Sequence, residues 1–270
     1  MSYGFVIQVA CSHMSSRKRK KFIRRVVFSG LAITLFFFAG WFLLRWTKYR
    51  ETRFTRYPEF GIAIPGEYSI HGIDVSKYQQ AIAWEEVQMM KVKNIHLGFA
   101  FIKATEGIGN TDDQFYRNWK KSKQAGMIRG AYHYFIASKD GRMQAENFID
   151  KLELQSGDLP PVLDVEQRNG TNAADFKKEV KRWLEVVEHY YHIRPIIYTN
   201  VEFYNRCLGN EFDEYPLWVA HYYQPQQPRI QRGWTFWQHS DEGRVNGIVS
   251  RVDFNVFSGD SLEFKKILIQ

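Results

Sequence analysis

The longest apolar stretch of the chain is residues 26–44, VVFSGLAITLFFFAGWFLL, and it contains no charged residue. A helix of this length crosses the hydrocarbon core of a bilayer. The basic residues before it are more densely clustered than those after it, which favours a cytoplasmic N-terminus and an exported remainder. We therefore predict a single-pass protein of the cytoplasmic membrane, with a basic cytoplasmic tail over 1–25 and translation starting at Met1 or Met14. Its folded part would lie on the outer, periplasmic or extracellular side.

The next segment, residues 45–69, contains Pro58, Gly61, Pro65 and Gly66, which interrupt regular structure. We predict that it is a juxtamembrane linker. After it the pattern changes to short apolar runs that alternate with amphipathic ones. Strands that alternate with helices indicate parallel pairing through crossover connections.

Eight strands and five helices are predicted in residues 70–270. Because the helices become sparse after the fifth strand, we expect an α/β fold, a TIM-like barrel of eight strands with an incomplete set of helices. The predicted strands are 72–76, 97–103, 130–135, 161–166, 195–199, 217–221, 235–239 and 251–254. The predicted helices are 84–92, 112–124, 141–154, 173–191 and a short one over 202–208.

Charge is unevenly distributed along the chain. The first 57 residues contain 12 Lys and Arg and one acidic residue, Glu51, so they carry +11, and the remainder carries −3 of the chain total of +8. The folded part therefore lacks the basic character that nucleic-acid binding requires. Cys11 and Cys207 are the only cysteines and lie on opposite sides of the apolar stretch. No intrachain disulfide framework is expected.

Two carboxylic acids end the predicted strand in residues 160–166, PPVLDVE. Side chains alternate along a strand, so Asp164 and Glu166 project to the same side. Two such carboxylates on an apolar strand disfavour each other's charge, and one of them should keep its proton at neutral pH. A glycosidase needs this combination of an acid and a carboxylate. The structural alternative is a pair of strand-end carboxylates that cap a helix or bind Lys and Arg.

Further candidates follow from the rule that functional residues of a barrel gather at the carboxyl ends of its strands. Carboxylates ringed by aromatic residues suit a carbohydrate, because aromatic faces pack on sugar rings and acids act on the glycosidic oxygen. For each candidate alone, a capping or core-packing role is the alternative. The residues selected in this way are Asp74, Lys103, Glu106, Tyr132, Tyr198, His221, Trp237 and Asp253.

Eight short stretches, in order, resemble one known family. They are GIDVSKYQ (72–79), FIKATEG (101–107), RGAYHYF (129–135), PVLDVE (161–166), IIYTN (196–200), LWVAHY (217–222), TFWQHS (235–240) and VDFN (252–255). Through them residues 71–257 are similar to glycoside hydrolase family 25, the lysozymes often called Chalaropsis-type. The resemblance implies an N-acetylmuramidase that needs no cofactor and hydrolyses the β-1,4 bond between N-acetylmuramic acid and N-acetylglucosamine. Peptidoglycan glycan strands are then the expected partner.

The resemblance also implies roles for individual residues. Glu166 would be the general acid/base and Asp164 the second carboxylate, Asp74 and Asp253 would hold that pair and the substrate, and Tyr132 would lie close to the reacting sugar. The family is regarded as retaining. The spacing of the two strand-end carboxylates leaves open whether the second one attacks directly or assists the 2-acetamido group of the substrate. The other expected substrate-binding residues are Lys103, Glu106, Tyr198, His221 and Trp237.

Two other functions are compatible with the sequence. His71, His133, His221 and His239 could hold a metal ion in a peptidoglycan deacetylase or amidase, but none has a metal-binding spacing, and His133 should face away from Tyr132. A tyrosine often follows Trp-Gln in the family, where this chain has a histidine. The second alternative is a non-catalytic peptidoglycan-binding module, which the presence of all four carboxylates disfavours. The preferred prediction is a membrane-anchored muramidase without a metal; no protein partner is assigned.

Overall fold

The computed structural model describes residues 16–48 and 54–270 of the chain. The chain divides into two compact units, Met1–Glu51 and Thr52–Gln270. The predictions for the translation start and for the first part of the N-terminal tail lie outside the described residues.

The described part of the first unit is one helix, α1 (Ser16–Lys48), which includes the predicted segment 26–44. Its apolar part, Arg19–Leu43, has a mean hydropathy of 2.1, and none of it is buried. A helix of this length and composition fits either a membrane span or a signal sequence. That residues 26–44 cross a membrane remains a prediction.

The second unit contains a closed barrel of eight strands with helices around it, as predicted. Two strands that precede the barrel form a hairpin, and two strands of two residues each extend its wall. The strands are β1 (Phe54–Tyr57), β2 (Ile62–Pro65), β3 (His71–Val75), β4 (Lys91–Val92), β5 (Ile95–Glu106), β6 (Asn110–Thr111), β7 (Ile128–Tyr134), β8 (Val162–Asp164), β9 (Ile196–Asn200), β10 (Leu217–Ala220), β11 (Phe236–Gly243) and β12 (Val252–Phe257).

The order of the barrel strands is β3-β12-β11-β10-β9-β8-β7-β5, and β5 pairs with β3 to close the wall. Neighbours in this barrel are parallel, except that β12 is antiparallel to both β11 and β3. The prediction of parallel pairing was wrong for this one strand. The connection from β11 to β12 contains no helix, so the chain reverses direction there and does not cross over.

Helices cover the outside of the barrel, and they bury apolar faces with helical spacing. Helix α5 (Ala173–Tyr191), for example, buries Phe176, Val180, Trp183 and Val187. A short helix, α6 (Val201–Phe203), continues as the π-helical turn Tyr204–Leu208. The remaining helices are α2 (Trp84–Met89), α3 (Phe115–Gln124), α4 (Gly141–Lys151), α5 (Ala173–Tyr191), α6 (Val201–Phe203) and α7 (Ser261–Ile267).

Aromatic rings fill the barrel interior. Phe101 of β5 stacks on Trp218 of β10, with ring centroids 4.3 Å apart, and Phe99 lies beside Phe101. Two glycines make room for these rings. A Cβ atom at Gly72 would lie 2.5 Å from the ring of Phe99, and one at Gly130 would lie 2.6 Å from the ring of Phe101. Either substitution would displace an interior ring.

Part of the predicted linker, residues 45–69, is folded, so the prediction was wrong there. Strands β1 and β2 pair as an antiparallel hairpin. Its side chains Phe60 and Ile64 are fully buried, and the amide of Arg244 donates to the carbonyl of Phe60 at 2.9 Å. The glycine expected to interrupt structure, Gly61, instead forms the turn with a φ of +71°, which a glycine adopts readily.

Helix α7 has no counterpart among the predicted helices. Asp260 caps it by accepting hydrogen bonds from the amides of Leu262 and Glu263. The amide of Asp260 in turn donates a hydrogen bond to the side chain of Glu263. The ring of Phe264 packs on that of Phe257, with the two ring centroids 5.1 Å apart, and closes one end of the aromatic interior. The capping-box pattern D-x-x-E was the available signal.

Candidate active site

Four carboxylic acids lie at one edge of the barrel. Asp74 is near the end of β3, Asp164 is the last residue of β8, and Glu166 follows two residues later. Asp253 lies opposite Asp74, in register, at the beginning of β12. Because β12 is antiparallel to its neighbours, its first residues lie at the edge where the other strands end. The structure therefore brings together all four predicted carboxylates.

Asp74 accepts the hydrogen bonds of a buried network. Gln238 Nε2 donates to Asp74 Oδ2 at 2.8 Å, and Asn255 Nδ2 donates to the same oxygen at 2.7 Å. Asp253 also hydrogen-bonds to Asp74. Burial raises the pKa of Asp74 to about 6, and these three hydrogen bonds oppose the rise. The three hydrogen bonds thus favour the ionised form of Asp74 at neutral pH.

Asp253 keeps a proton at the same pH. Burial raises the pKa of Asp253 to about 9, and the negative charge of Asp74 and the hydrogen bond between the two carboxyl groups add to the effect of burial. Asp253 is thus the neutral donor of this bond and Asp74 the charged acceptor. The two groups behave as a dyad that carries one negative charge.

Asp164 and Glu166 form a second pair. Asp164 is only 6% exposed, and its Oδ1 is buried without a hydrogen-bond partner among the described residues. Burial raises the pKa of Asp164 well above its usual range, and the charge of Glu166 adds to this. Burial also raises the pKa of Glu166, with a contribution from the charge of Asp74. Burial and mutual repulsion thus favour the protonated form in both members of the pair.

Glu166 is the more accessible member of this pair. It is half-buried, whereas Asp164 is buried. Its side chain also lines a cavity of about 230 Å³ together with Asn200, Phe203 and Arg206. The carboxyl group of Glu166 is therefore open to this cavity, whereas that of Asp164 is buried.

Lys103 and Glu106 come to the same edge of the barrel and pair with each other. Lys103 Nζ lies 2.6 Å from Glu106 Oε2 and 4.7 Å from the centre of the Tyr134 ring. The positive charge of Lys103 lowers the pKa of both Asp164 and Glu166, against the larger effect of burial. Lys103 thus stabilises negative charge on the catalytic candidates.

Two predicted tyrosines also belong to the site. Burial raises the pKa of Tyr132 well above its usual range, and the charges of three of the carboxylates add to this. Tyr198 donates its hydroxyl proton to Gln238 Oε1 at 2.7 Å. Both hydroxyl groups therefore remain protonated donors beside the carboxylates.

Three residues of this network were missing from the predicted site: Gln238, Asn255 and Tyr222. The hydroxyl of Tyr222 donates to Gln238 Oε1 at 2.6 Å, and Trp218 Nε1 donates to Asn255 Oδ1 at 2.7 Å. Strand alternation was the available signal. Asn255 lies two residues after Asp253 and therefore faces the same side of β12.

Trp237 and His221 lie on the outer face of the barrel wall, so the structure does not bring these two predicted residues together with the carboxylates. Trp237 is fully buried there, with its ring centroid 6.0 Å from that of Phe54, and its Nε1 donates to the carbonyl of His221 at 2.9 Å. The ring Nδ1 of His221 accepts from the amide of Arg229 at 3.1 Å. Trp237 and His221 each stand next in sequence to an inward-facing residue, which for Trp237 is Gln238. Because side chains alternate along a strand, Trp237 and His221 face outward.

His133 faces outward, as predicted. Its Nδ1 lies 2.7 Å from Thr105 Oγ1 and its Nε2 lies 3.3 Å from Gln144 Oε1, while its ring stacks on Trp183. Burial lowers the pKa of His133 to about 3, so the ring is neutral.

His71 and His239 are also buried outside the carboxylate cluster. Burial lowers the pKa of His71 to about 4 and that of His239 to about 3. In the part of the chain that the structure describes, no three His, Cys, Asp or Glu side chains are arranged to hold a metal ion.

Comparison with known proteins places this barrel in one family. Residues 73–248 match the sequence profile described as Glycosyl hydrolases family 25. The Escherichia coli K12 protein described as "Uncharacterized protein YegX" is 49% identical over 200 residues, 74% of each chain. Lysozyme M1 of Streptomyces globisporus is 36% identical over 209 residues, which are 71% of this chain and 69% of that protein.

The solved structures agree with the sequence comparisons. The structure of a family 25 glycosyl hydrolase from Bacillus anthracis covers 80% of this chain and 100% of its own, with a TM-score of 0.70 and 31% identity. The residues matched by the family profile include Asp74, Asp164 and Glu166 and end before Asp253. The chain belongs to glycosyl hydrolase family 25 and is a glycoside hydrolase.

Proposed function

We propose that the chain is a peptidoglycan muramidase, which hydrolyses the β-1,4 bond between N-acetylmuramic acid and N-acetylglucosamine. One observation carries the proposal: Asp164 and Glu166 share the end of an apolar strand, and burial raises the pKa of both. This yields the acid and the carboxylate that glycoside hydrolysis requires. The name of the relative Lysozyme M1 supports peptidoglycan as the substrate.

Glu166 acts as the general acid. It transfers its proton to the glycosidic oxygen while the bond from that oxygen to C1 breaks, and positive charge develops on C1 and the ring oxygen. The leaving sugar departs as an alcohol, and Glu166 remains as a carboxylate. In the second step it accepts a proton from the water that attacks C1, which restores the starting state.

Asp164 is the carboxylate that stabilises the positive charge. It can attack C1 and form a glycosyl-enzyme ester that water then hydrolyses. Alternatively, it accepts a hydrogen bond from the 2-acetamido N–H while the acetamido oxygen attacks C1. Both routes retain configuration, and both need an ionised Asp164 with a free oxygen. The unpartnered Oδ1 is that oxygen, and the positive charge of Lys103, which lowers the pKa of Asp164 against the larger effect of burial, favours its ionisation. The proton of the pair must therefore reside on Glu166 when the glycosidic bond breaks.

The Asp74–Asp253 dyad tunes this pair. The charge of Asp74 raises the pKa of Glu166 and so helps the acid to keep its proton until it is needed. The proton on Asp253 prevents a further negative charge from accumulating in the site. Gln238 holds Asp74 in place, and the hydroxyl of Tyr132 is positioned as a donor to the substrate.

The test is digestion of purified peptidoglycan with the full-length protein in detergent, followed by reducing-end analysis. The proposal expects muropeptides that end in reducing N-acetylmuramic acid. Reducing N-acetylglucosamine would indicate cleavage of the other glycosidic bond. Released peptides or acetate would indicate an amidase or a deacetylase, and the absence of products would indicate a binding module. Every outcome other than reducing N-acetylmuramic acid contradicts the proposal.

We also propose that helix α1 anchors the enzyme, with residues 26–44 in the cytoplasmic membrane and the barrel on its outer side. The apolar length of the helix and the basic residues before it support this. The protein should stay in the membrane fraction after a high-salt wash, and a reporter fused after Gln270 should be active only outside the cytoplasm. A mature protein whose N-terminus begins after residue 44 would contradict an anchor and indicate a cleaved signal.

A further inference from the structure

A groove of about 860 Å³ lies outside the barrel, between α3 and the C-terminal ends of α4 and α5. Arg129, which contributes to its floor, is the second residue of β7, whereas the four carboxylates lie at the opposite ends of the strands. Four aromatic side chains line this aromatic groove: Tyr116, Trp119, Tyr190 and Tyr191. The mechanism proposed above uses none of them.

The floor of the aromatic groove is rigid. The Arg129 guanidinium stacks on the Trp119 ring at 3.7 Å from its centre. Asp158 holds that guanidinium through two bonds, from Nε to Oδ1 at 2.9 Å and from Nη2 to Oδ2 at 3.1 Å, and both residues are 3% exposed. Tyr191 donates its hydroxyl proton to the carbonyl of Leu152 at 2.6 Å. Internal hydrogen bonds and ring stacking therefore hold the shape of the groove.

Two of the rings remain available. Tyr116 is 59% exposed and Tyr190 is 57% exposed, and neither hydroxyl group hydrogen-bonds to a described residue. An exposed tyrosine presents a flat apolar face and a polar tip. Such rings around a concave surface suit a ligand that has apolar faces and many hydroxyl groups, which is the chemistry of a sugar chain.

The charges at the groove favour an anionic polymer. Lys120, Lys123 and Lys151 line it, opposed by Asp150 and Glu153. Lys123 donates to Gln155, whereas Lys120 and Lys151 form none of the ion pairs found among the described residues. Peptidoglycan carries carboxylates on its peptides, so these lysines complement it.

We propose that the aromatic groove binds a second peptidoglycan strand, separate from the strand in the active site; this inference rests on the proposed function. Sugar rings pack on Tyr116 and Tyr190, and carboxylates of the strand pair with Lys120 and Lys151. In an insoluble wall, neighbouring strands are held close to one another. Binding two of them raises the effective concentration of the enzyme at the wall without changing the chemical step.

The experiment compares two substrates of the full-length protein and its double variant Tyr116→Ala/Tyr190→Ala. On insoluble peptidoglycan at limiting enzyme, the variant should release reducing ends about tenfold more slowly, because two ring contacts are lost. On a soluble glycan fragment too short to span both sites, kcat/KM should be unchanged. Met143→Ala, which removes a half-exposed apolar side chain from α4, is the matched control and should change neither rate.

Equal rates of the variant and wild type on insoluble peptidoglycan, or equal slowing on both substrates, would overturn the proposal. Co-sedimentation with insoluble peptidoglycan separates it from the proposed function, since binding needs no turnover. Weakened sedimentation of the double variant supports the groove even if the wild type releases no reducing ends. Unchanged sedimentation overturns it. The double variant Lys120→Gln/Lys151→Gln should weaken binding to insoluble peptidoglycan chiefly at low salt. An equal loss of binding at all salt concentrations would contradict the proposed pairing of these lysines with carboxylates.

Discussion

Two regions of the barrel bury charged side chains. In one of them the opposite charges are paired, and in the other, groups of the same sign are clustered. At the start of β7, Arg129 and Asp158 are each 3% exposed and are joined by two hydrogen bonds of 2.9 and 3.1 Å. At the other ends of the strands, Asp74 and Asp164 are each 6% exposed among carboxyl groups of the same sign. The cation that stabilises charge there, Lys103, is itself paired with a glutamate.

The comparison separates a structural site from a chemical one. A buried ion pair with satisfied hydrogen bonds costs little further free energy and performs no proton transfer. Carboxylates without matching cations must instead retain protons, and a retained proton is what general acid catalysis uses. The structure thus keeps balanced charge at one end of the barrel and unbalanced charge at the other.

The largest expected effect concerns the unbalanced end. Glu166→Gln keeps the shape of the side chain and removes its transferable proton. Turnover of peptidoglycan should fall by roughly 10²–10⁴-fold, which corresponds to about 3–5.5 kcal/mol of activation free energy. Reducing-end release measures the loss, and the melting temperature should not fall, because the amide keeps the shape of the half-buried side chain. Near wild-type turnover would move the acid to another of the four carboxylates.

A substitution in the Arg129–Asp158 pair should lower the free energy of unfolding and leave the catalytic rate unchanged. Arg129→Met leaves Asp158 buried without its partner, and the free energy of unfolding should decrease by about 3–5 kcal/mol. At a temperature where the variant is folded, kcat on a soluble fragment should equal that of wild type. Denaturant titration measures the first effect. Arg129→Met/Asp158→Leu should recover much of the loss, and a double variant no more stable than the single one would contradict this account.

A pH-dependent effect is expected at the dyad. The folded pKa of Asp253 is about 9, against an ordinary value of 3.8, so the folded protein holds a proton that the unfolded chain has released between these values. This group therefore destabilises the fold increasingly as pH rises, by at most about 1.4 kcal/mol per pH unit. Asp253→Asn removes the dependence and keeps a donor for Asp74. Its stability advantage over wild type should grow from pH 4 to pH 9, and an advantage independent of pH would refute the assignment.

No effect is expected from metal chelation. The steps assigned to Glu166 and Asp164 are proton transfers and stabilisation of charge by a carboxylate. Activity should therefore survive prolonged dialysis against EDTA. Loss of activity that zinc restores would replace the glycosidase mechanism with a metal-dependent one, and His133 and His221 would be the first ligands to test.

Periodicity along the strands was enough to predict the barrel, since each strand is a short apolar run between polar ones. It also placed His133 outside, because the same alternation that points Tyr132 inward turns its neighbour away. The same rule, applied to β10 and β11, would have excluded His221 and Trp237 from the site. These two residues were selected because they lie at strand ends. That position determines how far along the barrel axis a residue lies, but not whether its side chain points inward or outward.

Other features depend on contacts between distant parts of the chain. The hairpin around Phe60 is stabilised by burial against the barrel, which no pattern in residues 45–69 reveals. The pairing of Lys103 with Glu106 depends on an irregularity of β5 that shifts its register after Lys103. The hydrogen bond from Gln238 to Asp74 joins residues 164 positions apart. Such partners are decided by the closed barrel and not by local sequence.

The central claim is that the carboxylate cluster keeps protons at neutral pH, and infrared spectroscopy of the carboxyl C=O stretch tests it most directly. The wild-type protein should show protonated carboxyl groups at neutral pH. Asp253→Asn should remove one of them, and that component in wild type should disappear as the pH passes about 9. Glu166→Gln should alter the signal of the second pair. A wild-type spectrum that contains only ionised carboxylates at neutral pH would contradict the account.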